Sequence, residues 1–217
     1  NKNYTYSFVM QHVENRNVTE ILMNRLILVE VRHNLELVDL QTIPKNENYM
    51  IANYLTKENL DYYNNILSNN SLGTYGWKGF TIKQNDKRFN VINPMFENVN
   101  KLKTNSTNPL YTFCELFKSS KLQEFIHYFP DNTKLFEKYK MLTNICIKEL
   151  YDNYVDIKIK KCKLLHEAPF QLKPLVYELH GIYLKQKQKI TYNVVESYCK
   201  ELSAEKLTFV LKYYISL

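Results

Sequence analysis

The chain has 217 residues, 45% hydrophobic and 24% charged, with only 4 Gly and 6 Pro. This composition excludes collagen-like or disordered material and leaves room for one large domain or two small ones. A net charge of +7 and a pI near 9.0 favour polyanionic partners, and the absence of any run of about 18 apolar residues or of a signal-peptide core predicts neither a membrane span nor a secretory leader.

In chain order, Tyr4, Tyr6, Phe8 and Met10 alternate with Thr5, Ser7, Val9 and Gln11, the period of two that marks a strand. Residues 12–17 (HVENRN) form a polar turn, and 25–32 (RLILVEVR) a long apolar strand that 35–40 extends or neighbours. Thr56 is placed to cap a helix with Glu58 in its first turn, running to about Leu67, and 69–73 is a loop. Residues 76–96 (GWKGFTIKQNDKRFNVINPMF) follow. They read as two strands, 79–82 and 88–92, with Gln84, Asn85 and Asp86 as turn formers. Phe80 and Ile82 alternate with Thr81 and Lys83, and Phe89 and Val91 with Arg88 and Asn90, so each strand has one apolar and one polar face, as in a half-buried hairpin.

After Pro94 helical periodicity replaces alternation, which sets a boundary near residue 97 between a β-rich domain (1–96) and an all-α domain (97–217). Short helices are predicted over 110–117 and 122–129. A long helix capped by Asp131 carries Leu135, Tyr139, Leu142, Cys146, Leu150 and Tyr154 on one face. Pro169 starts a helix with Leu172, Leu175, Leu179 and Tyr183 on one side, and 193–202 and 203–214 complete a bundle of five or six elements. The fold class is α+β.

Chemistry-bearing motifs are sparse. There is no Walker A loop, G-x-S-x-G elbow or Rossmann fingerprint, and His12, His33, His127, His166 and His180 are scattered. Cys114, Cys146, Cys162 and Cys199 form no C-x-x-C pair and have no histidine at ligand spacing, so free thiols in an intracellular, reducing compartment are expected. Lysines concentrate late, at Lys158, Lys160, Lys161 and Lys163 and again at Lys185, Lys187 and Lys189. Such clusters either neutralise phosphate or line a solvated helix face.

Three blocks, in order, resemble the later motifs of the ATP-dependent RNA ligases, the phage-type enzyme and its viral relatives among the covalent nucleotidyltransferases. Phe8-Val9-Met10-Gln11-His12-Val13-Glu14-Asn15-Arg16-Asn17-Val18, followed by Leu26-Ile27-Leu28-Val29-Glu30-Val31-Arg32, is similar to the third motif. Gly76-Trp77-Lys78-Gly79-Phe80-Thr81-Ile82 resembles the fourth, where the family has a Glu-Gly pair opening a strand. Arg88-Phe89-Asn90-Val91-Ile92-Asn93-Pro94-Met95-Phe96 is similar to the fifth, where two lysines flank an apolar residue. The likeness covers roughly residues 4–96 and implies an antiparallel-sheet cradle of the nucleotidyltransferase, ATP-grasp-like ligase kind, joined to a helical domain.

The departures fall on the reactive positions. Nothing matches the family's nucleophilic Lys-x-Asp-Gly, which is missing or lies upstream of Asn1. Val9 stands where a glutamate is expected, Lys78 where the metal-supporting glutamate belongs, and Asn90 and Ile92 where lysines would hold phosphate. An ammonium in place of a metal-binding carboxylate reverses the local sign, and an isoleucine in place of a lysine leaves an anion unpaired. The resemblance therefore implies a pseudoenzyme with no intact catalytic residue and no metal site, needing neither ATP nor Mg2+ unless ligase activity is retained. Its expected partner is RNA or another nucleic acid, with a protein partner as a further possibility and no membrane. Candidate phosphate-binding residues are Arg16, Lys78, Lys83, Arg88, Lys158, Lys160 and Lys161. Two alternatives stand beside it: an active RNA ligase or capping-type transferase whose lysine lies upstream or on another subunit, and a viral structural or assembly protein reusing the fold. The compartment in each case is the host cytoplasm or a viral particle or factory.

Overall fold

The computed structural model describes residues 3–68, 74–84, 87–104 and 106–216. The chain is α+β and divides into two compact units, Asn1–Lys101 and Leu102–Leu217. The division falls a few residues after the change of texture at residue 97, because the helix that opens at Pro94 buries Phe96 and Val99 and continues to Leu102. Among the described residues no helix is long and apolar enough to cross a membrane.

The first unit is built on a four-stranded sheet. Strand β1 (Tyr4–Gln11) pairs antiparallel with β2 (Arg25–His33), which pairs antiparallel with β3 (Glu36–Val38). A two-residue strand, β4 (Met50–Ile51), pairs with β2 in parallel, so the sheet is not the wholly antiparallel cradle that the resemblance implied. Between β1 and β2 the register slips: Ser7 faces Glu30 and Phe8 faces Leu28, so Val29 is passed over. Such a bulge re-aims side chains locally. Strict alternation would put Leu28 and Glu30 on one face. The bulge instead lets Leu28 and Val31 share a small core with Leu40, packed by Tyr4, Val38, Ile43, Tyr49, Ile51 and Ala52.

Helix α1 (Lys57–Ser68) starts where the sequence indicated, with Thr56 Oγ1 accepting from the Asn59 amide. The hairpin is β5 (Gly79–Gln84) and β6 (Lys87–Ile92), paired antiparallel. Its turn residues Asn85 and Asp86, and the loop expected over 69–73, lie outside the described residues. Helix α2 (Pro94–Leu102) begins with proline in the first turn, where a missing N–H costs nothing. Asn93, fully buried, binds the helix start to the approach to the hairpin. Its Oδ1 accepts from the Met95 amide, and its Nδ2 donates to the carbonyls of Thr74 and Trp77.

Among the described residues the second unit holds six α-helices: α3 (Pro109–Lys118), α4 (Leu122–Tyr128), α5 (Thr133–Tyr154), α6 (Lys173–Gln186), α7 (Tyr192–Glu201) and α8 (Ala204–Ser216). Asn108 and Thr191 cap α3 and α7 with their side-chain oxygens. Two starts differ from expectation. Asp131 lies in a short 3-10 turn and Asn132 precedes α5; α6 starts at Lys173, with Pro174 rather than Pro169 in its first turn. The buried face of α5 holds Cys146, Leu150 and Tyr154 as the periodicity indicated, but Leu135, Tyr139 and Leu142 are only half-buried, and Phe136, Thr143, Ile147 and Asn153 are buried instead. Phe113 meets Phe136 and Tyr139 edge-on at 5.6 Å, and Phe125 stacks on Phe136 at 5.2 Å. Cys114, Cys146 and Cys199 are free thiols buried in this core, and burial pushes Cys114 up to about 11 and Cys146 and Cys199 to about 12, so they serve as small apolar groups.

Candidate functional site

A hollow of about 820 Å3 lies within the first unit. Its sheet side presents Ser7 and Val9 from β1 and Val29 and Glu30 from β2. The bulge is what brings Glu30 there, since Leu28 goes to the core instead. Tyr54, Tyr63 and Trp77 supply an aromatic wall, in which Tyr63 and Trp77 lie 4.8 Å apart between ring centres. Thr81, Lys83, Arg88 and Asn90 come from the hairpin.

The register explains that last group. Thr81 pairs with Asn90 and Lys83 with Arg88, so both couples share the hairpin's polar face. Thr81 Oγ1 donates to Asn90 Oδ1 at 2.8 Å. Lys83 Nζ donates to the Val29 carbonyl and to Glu30 Oε2, each at 3.0 Å, and Arg88 Nη2 donates to the same Oε2. The polar face thus meets β2. Near the turn the apolar face points to solvent: Ile82 is 46% and Phe89 53% exposed. The half-buried hairpin expected from alternation is reversed at this end, because the buried charge of Glu30 draws the cations inward.

Glu30 is only 5% exposed. Its other oxygen, Oε1, accepts from Arg32 Nε at 2.9 Å. The Arg32 hydrogen bond first, then Lys83 and Arg88, hold its carboxyl below the ordinary 4.5 although burial pushes the other way. Among the described residues Glu30 thus gathers three cationic side chains around one carboxylate. Lys83 and Arg88 remain reachable, their side chains 32% and 55% exposed.

The four positions at which the resemblance expected catalytic residues do not all come together. Val9 and Asn90 line the hollow, whereas Lys78 and Ile92 do not. Ile92 pairs with Gly79 at the open end of the hairpin, two pairs beyond Asn90, and is exposed. Lys78 precedes the strand, is exposed, and its carbonyl accepts from the Asn93 amide. Of the candidate phosphate binders, Lys83 and Arg88 face the hollow. Arg16 is half-buried in the turn after β1 and is not part of the wall.

The late lysines belong to the second unit, and three of them have local side-chain partners. Lys158 lies over the Tyr177 ring at 5.1 Å, and Lys160 pairs with Asp156 at 3.0 Å. Lys163 donates to buried Asn153 at 2.8 Å, and Lys161 takes a left-handed conformation (φ 57°) just after the π-helical turn Val155–Ile159. Lys158, Lys160 and Lys163 thus finish a helix end as well as adding charge.

Sequence reasoning missed Glu30, Tyr54, Tyr63 and Trp77 as site residues. Glu30 carried a readable signal, since a lone carboxylate inside RLILVEVR needs a buried partner. A divalent metal does not fit this wall. Among the described residues Glu30 is its only carboxylate, and both its oxygens already accept from cations. Among the described residues no group of three or more His, Cys, Asp or Glu is placed to hold a metal ion. A neighbouring hollow of about 880 Å3, bounded by parts of the 40–59 segment, offers Lys45 and, among the described residues, no carboxylate. Comparison with protein-family models, curated proteins and solved structures finds no match.

Proposed function

We propose that the chain is an RNA-ligase-like nucleotidyltransferase module that has lost its chemistry and binds RNA through the hollow of its first unit. The observation that carries this reading is the composition of the wall. Two cations sit side by side on the hairpin, next to hydrogen-bonding Thr81 and Asn90 and in the same hollow as an aromatic Tyr63–Trp77 pair. Cations take phosphate oxygens, and aromatic faces take bases irrespective of sequence. The reactive parts of a ligase have no counterpart there: Val9 is apolar, Asn90 is neutral, and Glu30 is committed to three cations. The family assignment itself rests on the order and spacing of the three sequence blocks. The basic helical unit serves in this reading as scaffold or added RNA surface.

The test is binding of a labelled single-stranded RNA over a range of salt, read by fluorescence anisotropy, beside incubation with radiolabelled ATP and magnesium. Affinity falls with salt, and replacing Lys83 and Arg88 together by Gln reduces the log–log slope by about 1.4, the share of two phosphate contacts on a single strand. Salt-independent binding, or a slope unmoved by the double substitution, overturns the RNA reading. A labelled lysyl-nucleotide overturns the loss of chemistry.

A second reading, an assembly protein, is favoured by β1. This strand forms the edge of the sheet and exposes Tyr6, Phe8, Val9 and Met10. A partner protein adding a strand at that edge would use main-chain hydrogen bonds.

A further inference from the structure

Lys83 and Arg88 stand directly opposite each other across the hairpin, and like charges in that position destabilise a strand pair. What holds them together is a single oxygen: Glu30 Oε2 accepts from Lys83 Nζ and from Arg88 Nη2. Arg32 fixes the opposite oxygen of the same carboxylate. Two converging cationic donors around one anionic oxygen are the arrangement in which a phosphate is bound, and here the oxygen belongs to the protein.

We propose that Glu30 is an internal stand-in for the ligand's phosphate, a carboxylate that occupies the fork formed by Lys83 and Arg88 and competes with any phosphate-bearing ligand for it. This rests on the reading of the hollow as an anion site and adds what sets its affinity. A carboxylate carries one negative charge, whereas a terminal phosphate carries between one and a half and two near neutrality and offers three oxygens. The fork therefore discriminates. A weakly charged anion does not displace Glu30, and a terminal phosphate or polyphosphate does. The cations are partly exposed while Glu30 is buried, so the ligand reaches them from the open side without Glu30 leaving the sheet.

The opposite role for Glu30 is to hold the cations in a binding geometry, and the two roles predict opposite signs. Calorimetry with inorganic tripolyphosphate on the full chain separates them. If Glu30 competes, Glu30→Gln tightens tripolyphosphate binding, by about tenfold at low salt for one charge removed a few ångströms away. Unchanged or weaker binding by a Glu30→Gln protein that still melts cooperatively overturns the proposal. Should Glu30→Gln fail to fold, Glu30→Asp keeps the buried charge but draws it back by one methylene. It tightens binding if Glu30 competes and weakens it if Glu30 positions.

Oligonucleotide arms identify the source of the phosphate. Tightening confined to an RNA with a 5′-triphosphate, compared with its 5′-hydroxyl twin, assigns the fork to a chain end. Equal tightening for both assigns it to the backbone. Tightening for tripolyphosphate alone keeps the competition and assigns the fork to a free polyphosphate, and in that case the RNA reading fails by itself.

Discussion

Gly79 carries a constraint that no other residue type meets. Its φ is +142°, a region L side chains rarely adopt, and a Cβ there would run into the Val91 carbonyl of the paired strand. Both problems arise because the chain bends into β5 at the point where the hairpin closes against β6. Gly79→Ala is expected to cost about 3 kcal/mol, combining backbone strain with an overlap that neither strand can relieve without losing register. Gly76→Ala is the control. Its Cβ would have only Thr74 Oγ1 nearby, at 3.9 Å, and the change is expected to alter stability by less than about 0.5 kcal/mol. Denaturant titration of both variants, followed by the fluorescence of Trp77, measures the difference. Equal midpoints for the two would show that the hairpin entry is not held as described. Gly79 was visible in the sequence as the residue opening the strand; its conformation was not, because nothing local to the residues Lys78-Gly79-Phe80 sets φ without the β6 partner.

At the scale of elements, the hairpin is fastened to β2 by charge. Lys83 and Arg88 reach the same carboxylate, and the apolar side chains nearest the turn, Ile82 and Phe89, contribute little by burial. The carboxyl of Glu30 titrates below its ordinary 4.5, for which the Arg32 hydrogen bond is the first cause and Lys83 and Arg88 the next. A group whose folded value is depressed contributes stability that is complete above its unfolded value and is lost as pH falls through the folded one. Amide protection of Phe80 to Lys83 and of Phe89 to Val91 is therefore expected to drop as pH falls below about 4.5, after correction for intrinsic exchange. In Glu30→Gln that step disappears, and protection above about pH 4.5 is lower than in wild type. An identical pH profile in wild type and variant would remove Glu30 as the fastening. Here the limit of sequence reading is physical. Alternation separates Phe80, Ile82, Phe89 and Val91 from Thr81, Lys83, Arg88 and Asn90, but it does not say which set turns inward. That choice is made by a carboxylate about fifty residues away, through a bulge at Val29 that no local pattern announces. The helices were legible for the converse reason. Leu172, Leu175 and Leu179, or Cys146, Leu150 and Tyr154, recur at the helical period and each lands in the core.

The two units differ in how much core each has for itself. In the first, the cluster around the main sheet has three buried members, Leu28, Val31 and Leu40, and its β1 strand is largely exposed. In the second, six helices enclose Phe113, Phe125, Phe129, Phe136, Ile147, Leu150, Leu179, Val195, Leu207 and Leu211, with α8 packed on both α3 and α5. Each fully buried large apolar side chain contributes about 2 kcal/mol relative to exposure, and most contacts of a helical bundle are local and form quickly. Residues 102–217 are accordingly expected to fold when expressed alone, with helical circular dichroism and one cooperative thermal transition. Residues 1–101 alone are expected to unfold at lower denaturant concentration, and tripolyphosphate is expected to raise their midpoint while leaving that of 102–217 in place, since a ligand stabilises the unit that holds its site. A midpoint for 102–217 that rises with tripolyphosphate as steeply as that of 1–101 would move the anion site from the Lys83–Arg88 fork to the late lysines. The partners that three of those lysines already have argue against that outcome at the first cluster: Lys160 is paired with Asp156, Lys163 is bound to Asn153, and Lys158 is laid over Tyr177.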